Sequence, residues 1–200
     1  MSRPALTIAS VLAPILLLGG CGAPVVVGTA GVAGSGTVAV DKRTLGTMVE
    51  DESIEWKVRA AINEAGLQQD DHHNVKVTSF NRIVLLTGQV PDEAAKGRAA
   101  AEAGRVDQVR GVHNELVVRP PTKLSRRSAD AVVTGRVKIA VAAKSKLKPP
   151  ANLNGKVVTE DGVVFLMGLV TREEAEAITA AARAVRGVRQ IVRLFEYPDS

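Results

Sequence analysis

Aromatic side chains are almost missing from this chain. Its 200 residues hold one Trp, one Tyr and three Phe, so any core must be filled by Val, Ile, Leu and Ala. Cysteine is rarer still: Cys21 stands alone, which excludes an intramolecular disulfide. Histidine occurs three times. His72 and His73 lie beside Asp70 and Asp71, yet neighbouring residues of a polar loop point different ways, and no further ligand follows at helical or hairpin spacing. A solvated turn is the preferred reading, and His113, at a strand entry, reads as exposed. The sequence patterns of a serine nucleophile elbow, a phosphate-binding loop and a zinc-binding helix are all missing. Gly34-Ser35-Gly36 lies in a Gly/Ala-rich stretch, not between strand and helix. No catalytic residue, metal or cofactor is expected, and the chain reads as a non-enzyme. The longest apolar run, Ala5 to Leu18, is too short for a comfortable membrane-spanning helix.

What is present is a repeat. Thr78 to Val90 reads TSFNRIVLLTGQV and Thr159 to Val170 reads TEDGVVFLMGLV. Aligned on Gly88 and Gly168, Val84 falls on Val164, Leu86 on Leu166, Val90 on Val170 and Ala95 on Ala175. Each copy continues through an Ala-rich, charged stretch to a second glycine, Gly111 or Gly187, followed by valine. Two copies imply a duplicated small domain, because a solenoid needs three or more units. Each copy has about 70 residues, near the lower limit for a self-sufficient core. The repeat glycines read as structural: room where helix and sheet approach, or an unusual backbone angle at the strand exit.

Each copy yields the same order of elements. In the first, Ile54, Val58 and Ile62 recur at helical spacing, with Glu50, Asp51 and Glu52 at the amino end, where the helix dipole favours them. Val75, Val77 and Ser79 alternate as a strand, Asn81-Arg82 makes a tight turn into Ile83 to Leu86, and Pro91 suits the first turn of a second helix. Leu116 to Val118 close the unit. In the second copy, Ser128 to Ala143 form the first helix, with Asp130 near its amino end. A hairpin turns at Glu160-Asp161-Gly162, Thr171 and Glu174 are placed as a capping box, and Gln190 to Phe195 give the last strand. Trp56 is expected as a partly buried anchor on the first helix. The fold class is α+β: two α-β-β-α-β domains, each a three-stranded sheet against two helices. The expected boundaries are 1–20 signal peptide, 21–49 tether, 50–119 first domain, 120–127 linker with Pro120 and Pro121, 128–196 second domain and 197–200 tail.

These paired units, each with a hydrophobic strand ending in glycine and a later Gly-Val, resemble BON domains. Leu18-Gly19-Gly20-Cys21 resembles the lipobox of bacterial lipoproteins, in which the cysteine thiol carries diacylglycerol; palmitate is the usual acyl group. Gly22 to Val40 is uncharged and glycine-rich, which suits a flexible tether, although such a strip would also suit the bilayer surface. Together with the tether and the run VVFLMGLVTREEAEA from Val163 to Ala177, the chain resembles the dual BON-domain lipoproteins of proteobacterial outer membranes. Gly22, where some lipoproteins carry an inner-membrane-retaining Asp, favours the outer membrane, with the folded part facing the periplasm.

The chain carries a net charge of +5, unevenly shared. The first helix of copy one is acidic, whereas Lys123, Arg126, Arg127, Arg136, Lys138, Lys144, Lys146 and Lys148 surround the first helix of copy two. Nucleic acid is the usual partner of such a cluster, but an exported lipoprotein does not meet it. Val133, Val137 and Val141 supply the core stripe of that helix, while Val132 and Ile139 lie on another side beside Arg136 and Lys138. An apolar strip with basic flanks suits anionic phospholipid, phosphatidylglycerol or cardiolipin; packing on the first domain would also account for it. The resemblance implies phospholipid contact by this helix through an aromatic near its start, a position held here by Val132. It further implies a role in outer-membrane integrity, recruitment to the division site and contact with the β-barrel assembly machinery. A periplasmic chaperone holding clients on its sheet, or an adaptor between envelope proteins, are the alternatives.

Overall fold

The computed structural model describes residues 45–67, 70, 72–144 and 155–198. Cys21, the tether and Lys146 and Lys148 lie outside them, as does the side chain of Lys144. The elements run α1 (Leu45–Glu64), β1 (Asn74–Phe80), β2 (Ile83–Val90), α2 (Glu93–Arg105), β3 (Gly111–Val118), α3 (Leu124–Lys144), β4 (Gly155–Glu160), β5 (Val163–Leu169), α4 (Arg172–Arg183) and β6 (Gln190–Glu196). This is the expected α-β-β-α-β order, twice, with two three-stranded sheets ordered β1-β2-β3 and β4-β5-β6. In each, the first two strands are antiparallel and the last is parallel to the central one. A parallel partner needs a crossover, and α2 and α4 supply it.

Both hairpins close through two-residue turns with positive φ at both positions, Asn81 (49°) and Arg82 (64°), then Asp161 (48°) and Gly162 (75°). That is the geometry whose twist matches paired strands. An aspartate in the first helix of each unit holds the turn. Asp51 accepts from the Asn81 and Arg82 backbone N–H groups at 2.8 Å each and from Ser79 Oγ at 2.7 Å. Asp130 accepts from the Asp161 and Gly162 N–H groups at 2.8 and 2.9 Å. Both aspartates are buried. This corrects the helix-dipole reading: α1 and α3 begin at Leu45 and Leu124, and neither has an acidic residue in its first turn. Asp51 and Asp130 sit a turn or more inside their helices, positioned by the sheet.

Two smaller expectations also change. Pro91 precedes α2 rather than opening it; the N-cap is Asp92, whose side chain accepts from Ala95 N. The repeat glycines Gly111 and Gly187 are not equivalent. β2 residue Ile83 pairs with Gly111, whereas β5 residue Val163 pairs with Gln190, so Gly187 corresponds to Gln108. Both adopt positive φ, 102° and 71°, in the turn that returns the helix to the sheet. At Gly187 glycine is required twice over, since a Cβ there would stand 2.7 Å from the Val133 side chain. Gly88 has the same double constraint: φ is 117° and a Cβ would fall 1.7 Å from the Asn74 carbonyl oxygen. The capping box of α4 is formed as expected, with Thr171 and Glu174 bonding reciprocally.

The central strands have two buried faces, and each face has its own partner. Val84, Leu86 and Val90 point to α1 and α2, against Ile54, Val58, Ala95 and Ala99. Val164, Leu166 and Val170 meet Val133, Val137, Ala175 and Ile178 in the same way. On the opposite faces, Phe80 and Leu85 of the first unit pack on Phe165 and Met167 of the second. The two sheets therefore lie face to face with the helices in the outer layers.

We expect Asp130→Ala to lower the thermal midpoint of unfolding more than substitution of an exposed α3 residue such as Ser128→Ala. It strands two turn N–H groups, each costing ~1–3 kcal/mol when left unsatisfied. An unchanged midpoint, followed by circular dichroism, would show that the turn does not depend on this carboxylate.

Candidate functional site

The face-to-face sheets fix which surface of α3 is free. Its Val133, Val137 and Val141 stripe is buried in the second core. Seen down a helix that turns ~100° per residue, Val132 and Ile139 fall on one outward stripe with Arg136 between them. Lys138 lies one position further round the outer surface. Val132 is 51% and Ile139 71% exposed, and Arg136 and Lys138 are exposed as well. The first unit does not cover them, because it meets the second through its sheet. The four expected site residues are thus brought together on one solvent-facing side of α3, with Leu124, 77% exposed, near its start.

The basic residues around this helix divide by use. Arg126 Nε donates to Asp161 Oδ1 at 2.6 Å, and Arg127 Nε to the Thr122 carbonyl at 3.2 Å. Among the described residues Lys123, Arg136 and Lys138 make no ion pair, so their charge is presented to solvent. The outward face of α3 is therefore cationic and apolar together, without a carboxylate in its outer stripe.

Sequence reasoning missed the electrostatic frame that holds α3 against the first unit. Asp161, in the β4–β5 turn, accepts from Arg119 and Arg189 at 3.0 Å each besides Arg126. Arg119 follows β3, so one carboxylate ties the first unit, α3 and the approach to β6. The reciprocal tie runs from Glu196, at the end of β6, to Asn81 Nδ2 at 2.9 Å and Arg110 Nη1 at 3.1 Å. Within the seam, buried Gln89 donates to buried Glu160 at 2.7 Å and accepts from Asn74 at 2.7 Å, while Lys76 reaches Glu160 at 2.7 Å. Lys156 meets Glu55 of α1 at 2.6 Å. A signal for the turn-binding aspartates existed: Asp51 and Asp130 each stand three residues before the first core aliphatic of their helix, Ile54 and Val133. Nothing of that kind marked Asp161 or Glu160, whose partners lie across the seam.

Two other candidates resolve differently. Asp70 accepts from the His72 and His73 backbone N–H groups at 2.7 Å and from His73 Nδ1 at 3.0 Å. The His72 N–H bond, with His73 assisting against desolvation, holds the Asp70 carboxyl below its ordinary range. Trp56 is 72% exposed, which overturns its expected partial burial: Ile54 and Val58 take the core side of α1 and turn it outward.

The architecture defines a class: a duplicated α+β unit fused through its sheets, with its distinctive surface chemistry on helices. The BON domain matches the chain twice, over residues 50–120 and 129–199. The chain is 37% identical over 196 residues to the outer membrane lipoprotein DolP of Haemophilus influenzae, with 98% of each chain covered. It is 32% identical over 164 residues to a 21 kDa hemolysin of Actinobacillus pleuropneumoniae, covering 82% of each. It is 30% identical over 155 residues to the osmotically-inducible protein Y of Escherichia coli, covering 74% of this chain and 72% of that relative. The chain belongs to the BON domain family, in its dual-domain form resembling DolP, and is a lipid-anchored outer-membrane protein of the envelope.

Burial raises the Asp161 carboxyl, but hydrogen bonds and charge from Arg126 and Arg119 outweigh it and hold the group below its ordinary value. A depressed carboxylate contributes stability that is fully present above its unfolded pKa of ~3.9 and is lost as pH falls through the folded value. Asp161→Asn should therefore lower the thermal midpoint at pH 7, and the gap from the parent should close in acid as the carboxylate takes up its proton. A gap that persisted unchanged in acid would show that the arginine cluster does not act through this charge.

Proposed function

We propose that this is a non-enzymatic protein that supports outer-membrane integrity by laying α3 of its second domain on anionic phospholipid. Cys21 is the lipidated residue in this reading, and the folded part faces the periplasm. The observation that carries the proposal is the pairing of unneutralised Arg136 and Lys138 with exposed Val132 and Ile139 on one side of a helix. Each Lys or Arg near an anionic surface contributes ~1 kcal/mol, and apolar residues at the interface add area removed from water. Val132, where the family resemblance implies an aromatic, makes the apolar part smaller, so charge dominates the contact. In this reading the protein works at the division site and near the β-barrel assembly machinery. The polar side chains that might have suggested chemistry support the non-enzymatic reading, since Asp51, Asp130, Glu160 and Asp161 are all engaged in holding turns and the seam. The client-holding alternative loses its surface, because the open face of each sheet is buried on the other.

The test is flotation of the soluble form lacking residues 1–21 with phosphatidylglycerol vesicles. Arg136→Glu with Lys138→Glu should weaken binding by more than the about thirtyfold that loss of two such charges implies, with the fold unchanged. Binding of the parent should fade with salt, as the Debye length falls from ~10 Å at 0.1 M to ~3 Å at 1 M. Val132→Trp should tighten it. Flotation of the double variant equal to that of the parent would contradict the role of α3 and favour an adaptor between envelope proteins.

A further inference from the structure

We propose that α1 carries a second lipid-contacting face, centred on Trp56, which seats the first domain on the bilayer that bears its anchor. Trp56 and Val49, 72% and 69% exposed, are seven residues apart and so share one outward stripe of α1, with partly exposed Met48 beside them. An exposed Trp flanked by aliphatic residues is the side chain best suited to the membrane–water interface, where its ring is buried and its N–H stays wet.

The acidity of α1 weighs less against such a contact than the sequence implies, because three of its five carboxylates are engaged by other groups. Asp51 is consumed by the Asn81-Arg82 turn. Glu55 accepts from Ser79 N, Arg59 and Lys156, and Glu50 faces Arg82 at 4.0 Å. Next to Trp56 the exposed charges are Glu52 on one side and Lys57 on the other, with Arg59 held by Glu55, a balanced set that does not repel lipid. The tether selects the bilayer as occupant. Only 24 residues, 21–44, separate Cys21 from Leu45 in the sequence, a reach of at most about 80–86 Å even for a fully extended chain. α1 is thus the first described element after that cysteine along the chain. The site differs from the α3 face in position and in kind. It lies in the other outer layer of the protein, and it is apolar where α3 is cationic. The proposal relies on the lipid anchor for proximity; because the two faces lie in opposite outer layers, the α1 seat does not require phospholipid binding by α3 and alternates with it on one bilayer.

Because Trp56 is the only tryptophan in the chain, its fluorescence reports the site without labelling. The full chain is inserted by its anchor into phosphatidylcholine vesicles whose acyl chains carry bromine. Trp56 emission should be blue-shifted and quenched by the brominated lipid, with no change in 1 M salt. Val49→Glu should relieve the quenching, and Arg136→Glu with Lys138→Glu should leave it in place. Emission that is unquenched by bromolipid and fully accessible to aqueous acrylamide would overturn the proposal and leave the face to a protein partner. So would shielding of Trp56 that needs no lipid and rises with protein concentration, which would assign the face to a second copy. Loss of quenching in the α3 double variant would also overturn it, by showing that α1 has no hold of its own.

Discussion

The apolar contact between the two sheets is what the rest of this molecule depends on. Each unit is small enough that one layer of helices over one face of three strands encloses a limited core. Its central strand is buried on both faces, with Leu85 beside Thr87 and Gln89 on the seam side of β2 and Phe165 and Met167 on that of β5. Phe80 and Leu85 need the second unit, and Phe165 and Met167 need the first. Once the sheets meet, the helices are committed to the outer layers, and the outward faces of α1 and α3 stay open to solvent. The charged contacts are arranged around that apolar centre. Glu160 enters the seam with Lys76, Gln89 and Thr122 to receive it, and removing Lys76 would leave a buried carboxylate without its countercharge.

The duplication contributes symmetry to this arrangement, and divergence gives the two halves different surfaces. The residue following β3, Arg119, reaches the hairpin turn of the second unit, and the end of β6, Glu196, reaches the hairpin turn of the first. The geometry is reciprocal while the signs are exchanged. A similar exchange separates the helices. α1 spends its carboxylates on the turn and the seam and presents a tryptophan, whereas α3 keeps Arg136 and Lys138 free beside Val132 and Ile139. One unit thus presents an apolar patch on α1, and the other a cationic face on α3.

Much of this was legible in sequence because it is local. The period of Ile54, Val58 and Ile62, the alternation of Val84, Leu86 and Val90, the turns at Asn81 and Asp161 and the Thr171 capping box each follow from a few neighbouring residues. So did the grouping of Val132, Arg136, Lys138 and Ile139 on the outer side of α3, which needs only helical geometry and a known core stripe. What was illegible depends on pairing across the chain. Leu85, Phe165 and Met167 looked like ordinary core residues until a second sheet was there to receive them. Asp51 read as a helix-start acid because its true partners are some thirty residues further on. The equivalence of Gly187 with Gln108 was hidden because a turn needing positive φ is filled by glycine in one copy and glutamine in the other.

If the seam is the organising contact, the two BON domains unfold as one cooperative body rather than as beads on a linker. Differential scanning calorimetry of the soluble form lacking residues 1–21 measures this directly, through agreement between the calorimetric and van't Hoff enthalpies. The structure predicts a single transition with the two enthalpies equal, and a Phe165→Asp variant that splits or broadens it. Two resolved transitions in the parent, each with its own midpoint and unmoved by Phe165→Asp, would contradict the account.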